Sequence, residues 1–342
     1  MSRMGKEFWG LAKRIAMMIE KLIFGAGGNK VRRGRPRKYE NWEVILALMV
    51  KIKERLPYRK VEWRLRELGE RAMDYTTICY RVKRMGADGE GVEFLVRLIE
   101  LWVEKMMKIL KAKEFWLFIA DGTGIGYKDS YKMRWCRGSE IRKVSCHVKV
   151  EVLVGRVRSV DIVVGCRVGK AYADENKLLE EIFRGVKYRA TYFLGDRYYS
   201  KNKVIRMVRE RNIVPVIPTE NTIRKRVRSE ERKWAKRMYE KHRDIYKKRC
   251  IVEQVFSLVK RRYDDRVLTK NQGIAELHAL AMFALYNLEL LFSLYFSPLS
   301  HIYLLHLFRT KKINFFNTLA RFCNFIIFFT IIIRYVEGTR FY

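Results

Sequence analysis

The sequence predicts an α/β core preceded by an all-α region. Three observations carry this. From residue 41 to 110 apolar residues recur three and four apart: Val44, Ile45, Leu48, Met49 and Ile52, then Val61, Leu65 and Leu68, as on the buried face of helices. From residue 114 the pattern changes, and EFWLFIADGT, HVKVEVLVG and VRSVDIVVGCRVG read as three strands. Helical runs then alternate with short strands, the order of a layered α/β domain.

The elements follow in order. Residues 1–30 open with a basic amphipathic helix over 1–24, closed by Gly25, Gly27 and Gly28. A basic linker, VRRGRPRK, begins the helical segment 31–110. Within it YRKVEWRLREL, a turn near Gly69 and DYTTICYRVKRM make a helix-turn-helix pattern, with Asp74 as the expected cap of the second helix. The core is expected over 111–297. EFWLFIADGT should end as a strand at Asp121-Gly122. ADENKLLEEIFRG reads as a helix capped at Asp174, ATYFLGDRYYS as a strand ending in Gly-Asp, NKVIRMVRERN as a helix and IVPVIPTE as a last strand. NTIRKRVRSEERKWAKRMYEKHR suits a basic helical arm. IYKKRCIVEQVFSLVKRRY reads as one helix, with IAELHALAMFALYNLELLFSL as a long apolar helix behind it. In 298–342 charge thins, and Phe, Ile and Asn take over. The stretch from Phe322 to Ile333 falls short of the ~20 residues a spanning helix needs, so this segment reads as an accessory tail and not a membrane anchor.

Among 342 residues, 72 Lys and Arg oppose 37 Asp and Glu, a formal net charge of +35. Such an excess implies a polyanionic partner, most simply nucleic acid held by phosphate neutralisation. A membrane surface is the weaker alternative, and a basic ribosomal or chromatin protein could carry the same charge. No two of the six cysteines have C-x2-C spacing and the histidines are scattered, which argues against a zinc site or a disulfide framework. Reduced cysteines in the cytoplasm are expected. Lys6, Lys13, Arg14, Glu20 and Lys21 interrupt any signal-peptide core.

Chemistry concentrates at a few positions. Tyr246, Arg249, Glu253 and Lys260 fall within a ~60° arc if read as one helix, since each residue advances ~100°. Ile251, Val252, Val255, Leu258 and Val259 fall opposite. One face would meet a charged partner while the other anchors on the core. Asp121 and Asp196 each end a strand-like run, where α/β folds place their sites. With Glu253, these carboxylates could hold two Mg²⁺ ions, hard cations that prefer oxygen ligands, with Mn²⁺ an expected substitute. Two ions ~3.5–4 Å apart can activate water or a 3′-hydroxyl and stabilise the leaving oxygen of a phosphodiester. Each acid alone also reads as an ordinary turn or ion-pair residue. Asp129, Asp161, Glu175, Asp264 and Asp265 are competing acids. Glu175 opens a helix, where an acid favours the dipole in any case.

The spacing Y-x2-R-x3-E-x6-K, with two upstream acids in order, resembles the signature of DDE-class transposases of bacterial and archaeal insertion sequences. GDRYYSKNKVIRMVRERNIVPVIP resembles that family's second-acid block, although Tyr198 stands where a small residue is common. The resemblance covers roughly residues 31–297. It implies a ribonuclease-H-like catalytic domain, with Asp121, Asp196 and Glu253 as metal ligands. It also implies that Tyr246, Arg249 and Lys260 contact DNA phosphates near the transposon end. The expected partners are transposon-end and target duplexes, with two protomers pairing two ends on nucleoid DNA. Arg33-Gly34-Arg35-Pro36 resembles an AT-hook core, whose arginines enter a narrow minor groove. Thr76, Thr77, Tyr80, Arg81 and Arg84 could face the major groove, with Ile78 and Val82 packing inward. A DNA-binding regulator and a decayed relative that binds ends without cutting are the alternative readings.

Overall fold

The computed structural model describes residues 3–24, 38–135, 141–219 and 229–296. Residues 1–292 form one compact unit and 293–342 a second, of which only 293–296 are described, as the end of the last helix.

Five helices come first: α1 (Arg3–Phe24), α2 (Asn41–Lys53), α3 (Tyr58–Glu67), α4 (Tyr75–Ala87) and α5 (Glu90–Ile109). The three-and-four spacing is what buries them. Val44, Ile45, Leu48, Met49, Ile52, Val61 and Leu65 are almost fully enclosed, while Leu68 is half-buried. On α1, Phe8, Ala12, Ile15 and Ile19 form the same kind of stripe, and α1 packs on α2 and α5. Asp74 caps α4 as expected, its carboxylate accepting from the Thr76 N–H at 2.8 Å. The connection 68–74 between α3 and α4 is longer than the turn of about three to four residues in a helix-turn-helix. Gly69 takes a left-handed φ of 74° there, just after α3 ends.

The core is a mixed sheet of β1 (Phe115–Trp135), β2 (Ile141–Val157), β3 (Val160–Gly169), β4 (Ala190–Leu194) and β5 (Val214–Val216) in the order β3-β2-β1-β4-β5. A short β6 (Arg266–Val267) adds to β1. β1, β2 and β3 are antiparallel neighbours, whereas β4 and β5 run parallel to β1. Parallel neighbours require crossovers. α6 (Glu175–Gly185) and α7 (Asn202–Glu210) supply them, and Asp174 caps α6 through the Asn176 N–H. Arg211 donates to the carbonyl oxygens of Phe183 and Val186 and so closes the end of α6.

After β5 come α8 (Glu230–Lys241), the short α9 (Arg243–Tyr246), a 3₁₀ turn over Lys247–Arg249, α10 (Cys250–Tyr263) and α11 (Gln272–Phe296). α8 packs on α7 and β5, so this part of the expected basic arm lies against the core. α11 is long and apolar enough to cross a membrane, but most of its length is enclosed by protein. Its buried Asn287 explains the placement. The side-chain amide accepts from the Val163 N–H at 3.0 Å and donates to the Val163 carbonyl at 2.7 Å, satisfying both backbone groups on edge strand β3.

Candidate active site

The site lies where β1 loses its parallel neighbour. β4 pairs with β1 only as far as Ile119↔Leu194, and β6 joins at Gly126↔Arg266. β2 occupies the other edge of β1 throughout this stretch. One edge of β1 is therefore open between Ile119 and Gly126, and Asp121 lies in that opening. Asp121 is in mid-strand, paired to Val152, and not at a strand end as the sequence suggested. The difference has a physical cause. β1 continues past the acid because it is half of a long hairpin with β2. What ends near Asp121 is the parallel pairing with β4. Asp196 follows the end of β4 by two residues and caps a 3₁₀ turn over Arg197–Tyr199, its Oδ1 accepting from the Tyr198 N–H at 2.8 Å. Tyr198, the departure from the family pattern, fits this turn with its ring exposed and its hydroxyl donating to Asp174.

The quartet is not on one continuous α-helix. Tyr246 closes α9, Arg249 ends the 3₁₀ turn, and Glu253 and Lys260 are on α10. The apolar face largely behaves as its spacing implies: Ile251, Val252, Val255 and Val259 are buried, joined by Phe256 and Tyr263, while Leu258 is half-buried. On the other side, the Arg249 guanidinium donates to Asp121 Oδ2 at 3.1 Å and to Glu253 Oε1 at 2.7 Å. One cation thus bridges the strand acid and the helix acid. Burial pushes the Asp121 carboxyl up, helped by the negative charges of Asp196 and Glu175 and opposed by Arg249 and the Gly122 N–H. Burial also raises the Tyr246 phenol, which feels Arg249, Asp196 and Asp121. Asp121, Asp196, Tyr246, Arg249 and Glu253 therefore share one electrostatic site. Lys260 lies ~10 Å farther along α10. Its ammonium is lowered by burial, with Asp265 opposing.

Behind this site lie two acids, Glu151, which the sequence does not single out, and Glu175, one of the competing acids. Glu151 of β2 is fully enclosed, and its Oε1 accepts from the Tyr199 hydroxyl at 2.8 Å. Burial holds its carboxyl well above the ordinary range, against the pull of that hydrogen bond. Glu175, set aside as a dipole-favouring residue, pairs with Lys149 beneath Gly122. Gly122 is opposite Glu151 in the ladder, so both lie on the sheet face that α6 covers, whereas Asp121 meets Arg249 on the other. In HVKVEVLVG the alternation of charge and valine suggests a solvated face. The return of α6 over that face, together with Tyr199, buries Glu151. Of the other competing acids, Asp161 is held by Arg156 at 2.6 and 2.8 Å, and Asp264 accepts from the Asp265 N–H. The side chain of Asp129 lies outside the described residues.

The helical region sorts its candidates. Thr76, Tyr80 and Arg84 are exposed on α4, Thr77 is half-buried, and Ile78 and Val82 pack inward as expected. Arg84 pairs with Asp88 at 3.3 Å. Arg81 is turned toward the protein, donating to the Tyr39 carbonyl at 2.8 Å and Asn41 Oδ1 at 2.7 Å. Arg33 and Arg35 lie outside the described residues.

Among the described residues no three Asp, Glu, His or Cys side chains are grouped to enclose a metal ion. The cation between Asp121 and Glu253 is Arg249. The donor chemistry nevertheless suits a hard divalent cation, because the carboxylates offer only oxygen. Asp121 also feels the negative charges of Asp196 and Glu175, and a cation among them relieves that repulsion.

Comparison with known proteins places this geometry. The model of the transposase DDE domain family matches residues 113–288, just over half of the chain. An uncharacterized protein of Aquifex aeolicus (strain VF5) is 44% identical over 265 residues, covering 77% of this chain and 81% of that relative. No solved structure matches. The family match spans all six strands, and the mixed sheet fits a ribonuclease-H-like DDE domain. Asp121, Asp196 and Glu253 all fall within the matched segment, and the chain belongs to the DDE-class insertion-sequence transposases.

Proposed function

We propose that the chain is a DNA transposase that binds the terminal inverted repeats of its insertion sequence and carries out metal-dependent strand cleavage and strand transfer. One observation carries the reading. Asp121, Asp196 and the Arg249–Glu253 pair share the open edge of β1, within a segment that matches the DDE domain.

Asp121, Asp196 and Glu253 would hold two divalent ions, Mg²⁺ or in its place Mn²⁺. Such ions activate a water or a 3′-hydroxyl and neutralise the leaving oxygen of a phosphodiester. The chain's own residues do the rest. Arg249 now pairs with Asp121 and Glu253; with them otherwise engaged, its guanidinium is free to take a phosphate bidentately. Tyr246 flanks it, and Lys260, ~10 Å farther along α10, would meet a more distant phosphate of the same end. The exposed side chains Thr76, Tyr80 and Arg84 would read the end sequence from α4, with Thr77 beside them. Two copies would pair two ends on the chromosome.

Cleavage and joining of labelled duplexes carrying the repeats that flank the reading frame, in Mg²⁺ or Mn²⁺, test the proposal. Wild type should nick and join, and Asp121→Asn should fall to background while still retarding the duplex on a gel. The second reading, a relative that binds ends without cutting, is favoured by Arg249 standing between Asp121 and Glu253. It predicts that both proteins bind and neither cuts.

A further inference from the structure

The turn that carries Asp196 is tied to the middle of the sheet from behind. Asp196 accepts from the Tyr198 N–H through its side chain and from the Tyr199 N–H, at 3.2 Å, through its carbonyl. The turn ends at Tyr199, whose side chain is fully buried and whose hydroxyl donates to Glu151 Oε1 at 2.8 Å. The backbone preceding Asp196 closes over the same ring. A Cβ on Gly195 would lie 2.9 Å from Tyr199 Cδ2, so that residue has no room for a side chain. Glu151 is opposite Gly122, the neighbour of Asp121. A chain of short contacts thus runs from Asp196 through Tyr199 and Glu151 to the strand that carries Asp121. Between Asp121 and Asp196 the β1–β4 ladder is already finished, so backbone pairing does not fix their separation.

We propose that the Tyr199–Glu151 hydrogen bond is the strut that sets Asp196 relative to Asp121, making Glu151 and Tyr199 positioning residues of the site. The inference rests on the metal-dependent reading above. A buried acid whose second oxygen, Oε2, has no hydrogen-bond partner is an expensive way to fill a core. A strut accounts for it. The carboxyl oxygen accepts a hydrogen bond that an apolar residue could not, and thereby fixes a residue three positions from the second acid.

The test uses the full chain and Mn²⁺ alone as probe, with free ion followed by electron paramagnetic resonance. Supporters of metal ligands set affinity, and their loss costs about 10- to 100-fold. Tyr199→Phe and Glu151→Leu should each weaken Mn²⁺ binding by about tenfold or more. Glu151→Gln, whose amide oxygen still accepts from Tyr199, should stay within about threefold of wild type. Far-UV circular dichroism below the unfolding transition establishes that each variant is folded. Should Glu151→Leu fail to fold, Tyr199→Phe, which removes only a hydroxyl, decides. Folded Tyr199→Phe with wild-type Mn²⁺ affinity overturns the strut while leaving the metal-dependent reading intact. A wild-type chain that binds no Mn²⁺ overturns both.

Discussion

Arg249 and Glu151 show how single side chains set the chemistry of this protein. Arg249 bridges Asp121 and Glu253, with its ion pairs at 3.1 and 2.7 Å. Glu151 is the opposite case, an enclosed carboxyl with a hydrogen bond from Tyr199 and a second oxygen without a partner. Its folded-state pKa lies well above the ordinary 4.5 because of burial. The folded chain therefore holds that proton more tightly than the unfolded chain. The associated stability is fully present below the unfolded pKa and is lost as pH rises through the folded one. Glu151→Gln cannot lose a proton. In urea unfolding at pH 5 and pH 8, the variant should gain on wild type as pH rises, and a difference independent of pH would contradict this. The family spacing pointed to Asp121, Asp196, Tyr246, Arg249 and Glu253, which the fold brings together. It said nothing of Glu151 or Glu175, because the burial of both is set by a crossover helix and not by local pattern.

At the scale of elements, three junctions hold the site in place. α4 touches the start of α11 backbone to backbone: a Cβ on Gly86 would lie 2.5 Å from the Gly273 carbonyl oxygen. Gly86→Ala must push these helices apart, and chemical denaturation should show a loss of about 1–3 kcal/mol. Asn287→Leu would orphan both backbone groups of Val163, at ~1–3 kcal/mol for each. It should lower the midpoint of thermal unfolding well beyond what a surface substitution does. Asp264 links α10 to β6 with φ 84° and ψ 151°, a region nearly restricted to glycine. Asp264→Gly should therefore stabilise the chain by up to about 1 kcal/mol, and an unchanged or lower stability would show the position to be unstrained. The strands and crossover helices were legible because each is a short periodic run bounded by turn residues. Two features were not. β1 runs far past Asp121 because its partner β2 pairs with it there, which is a long-range effect. The quartet segment breaks at residues 247–249, where the run Lys247-Lys248-Arg249 carries no helix-stopping residue.

Over the whole molecule the excess of +35 charges dominates. Phosphate neutralisation releases counterions, so duplex affinity should fall by about 10³–10⁵ between 50 and 200 mM salt if six to ten phosphates are engaged. A nearly flat salt dependence in a filter-binding titration would show that the charge serves another purpose. The charge suggested nucleic acid but could not separate an enzyme from a basic scaffold. The family match adds the transposase family, and the proposed chemistry rests on the acids at the open edge of β1. The all-α front half was equally legible, but its packing onto the core was not visible in any pattern. α5 packs on β3 and α4 on α11, within one compact unit.

The central claim is that Glu253 works with Asp121 and Asp196 on a phosphodiester. The most direct test is single-turnover cleavage and joining of duplexes bearing the flanking repeats in Mg²⁺ and in Mn²⁺. It would compare wild type with Glu253→Gln, and with Gln254→Ala as an exposed neighbour on the same helix. Loss of both steps in Glu253→Gln alone, with end binding retained, is the predicted result. Equal cleavage by wild type and Glu253→Gln, or binding without cleavage by all three, would contradict it.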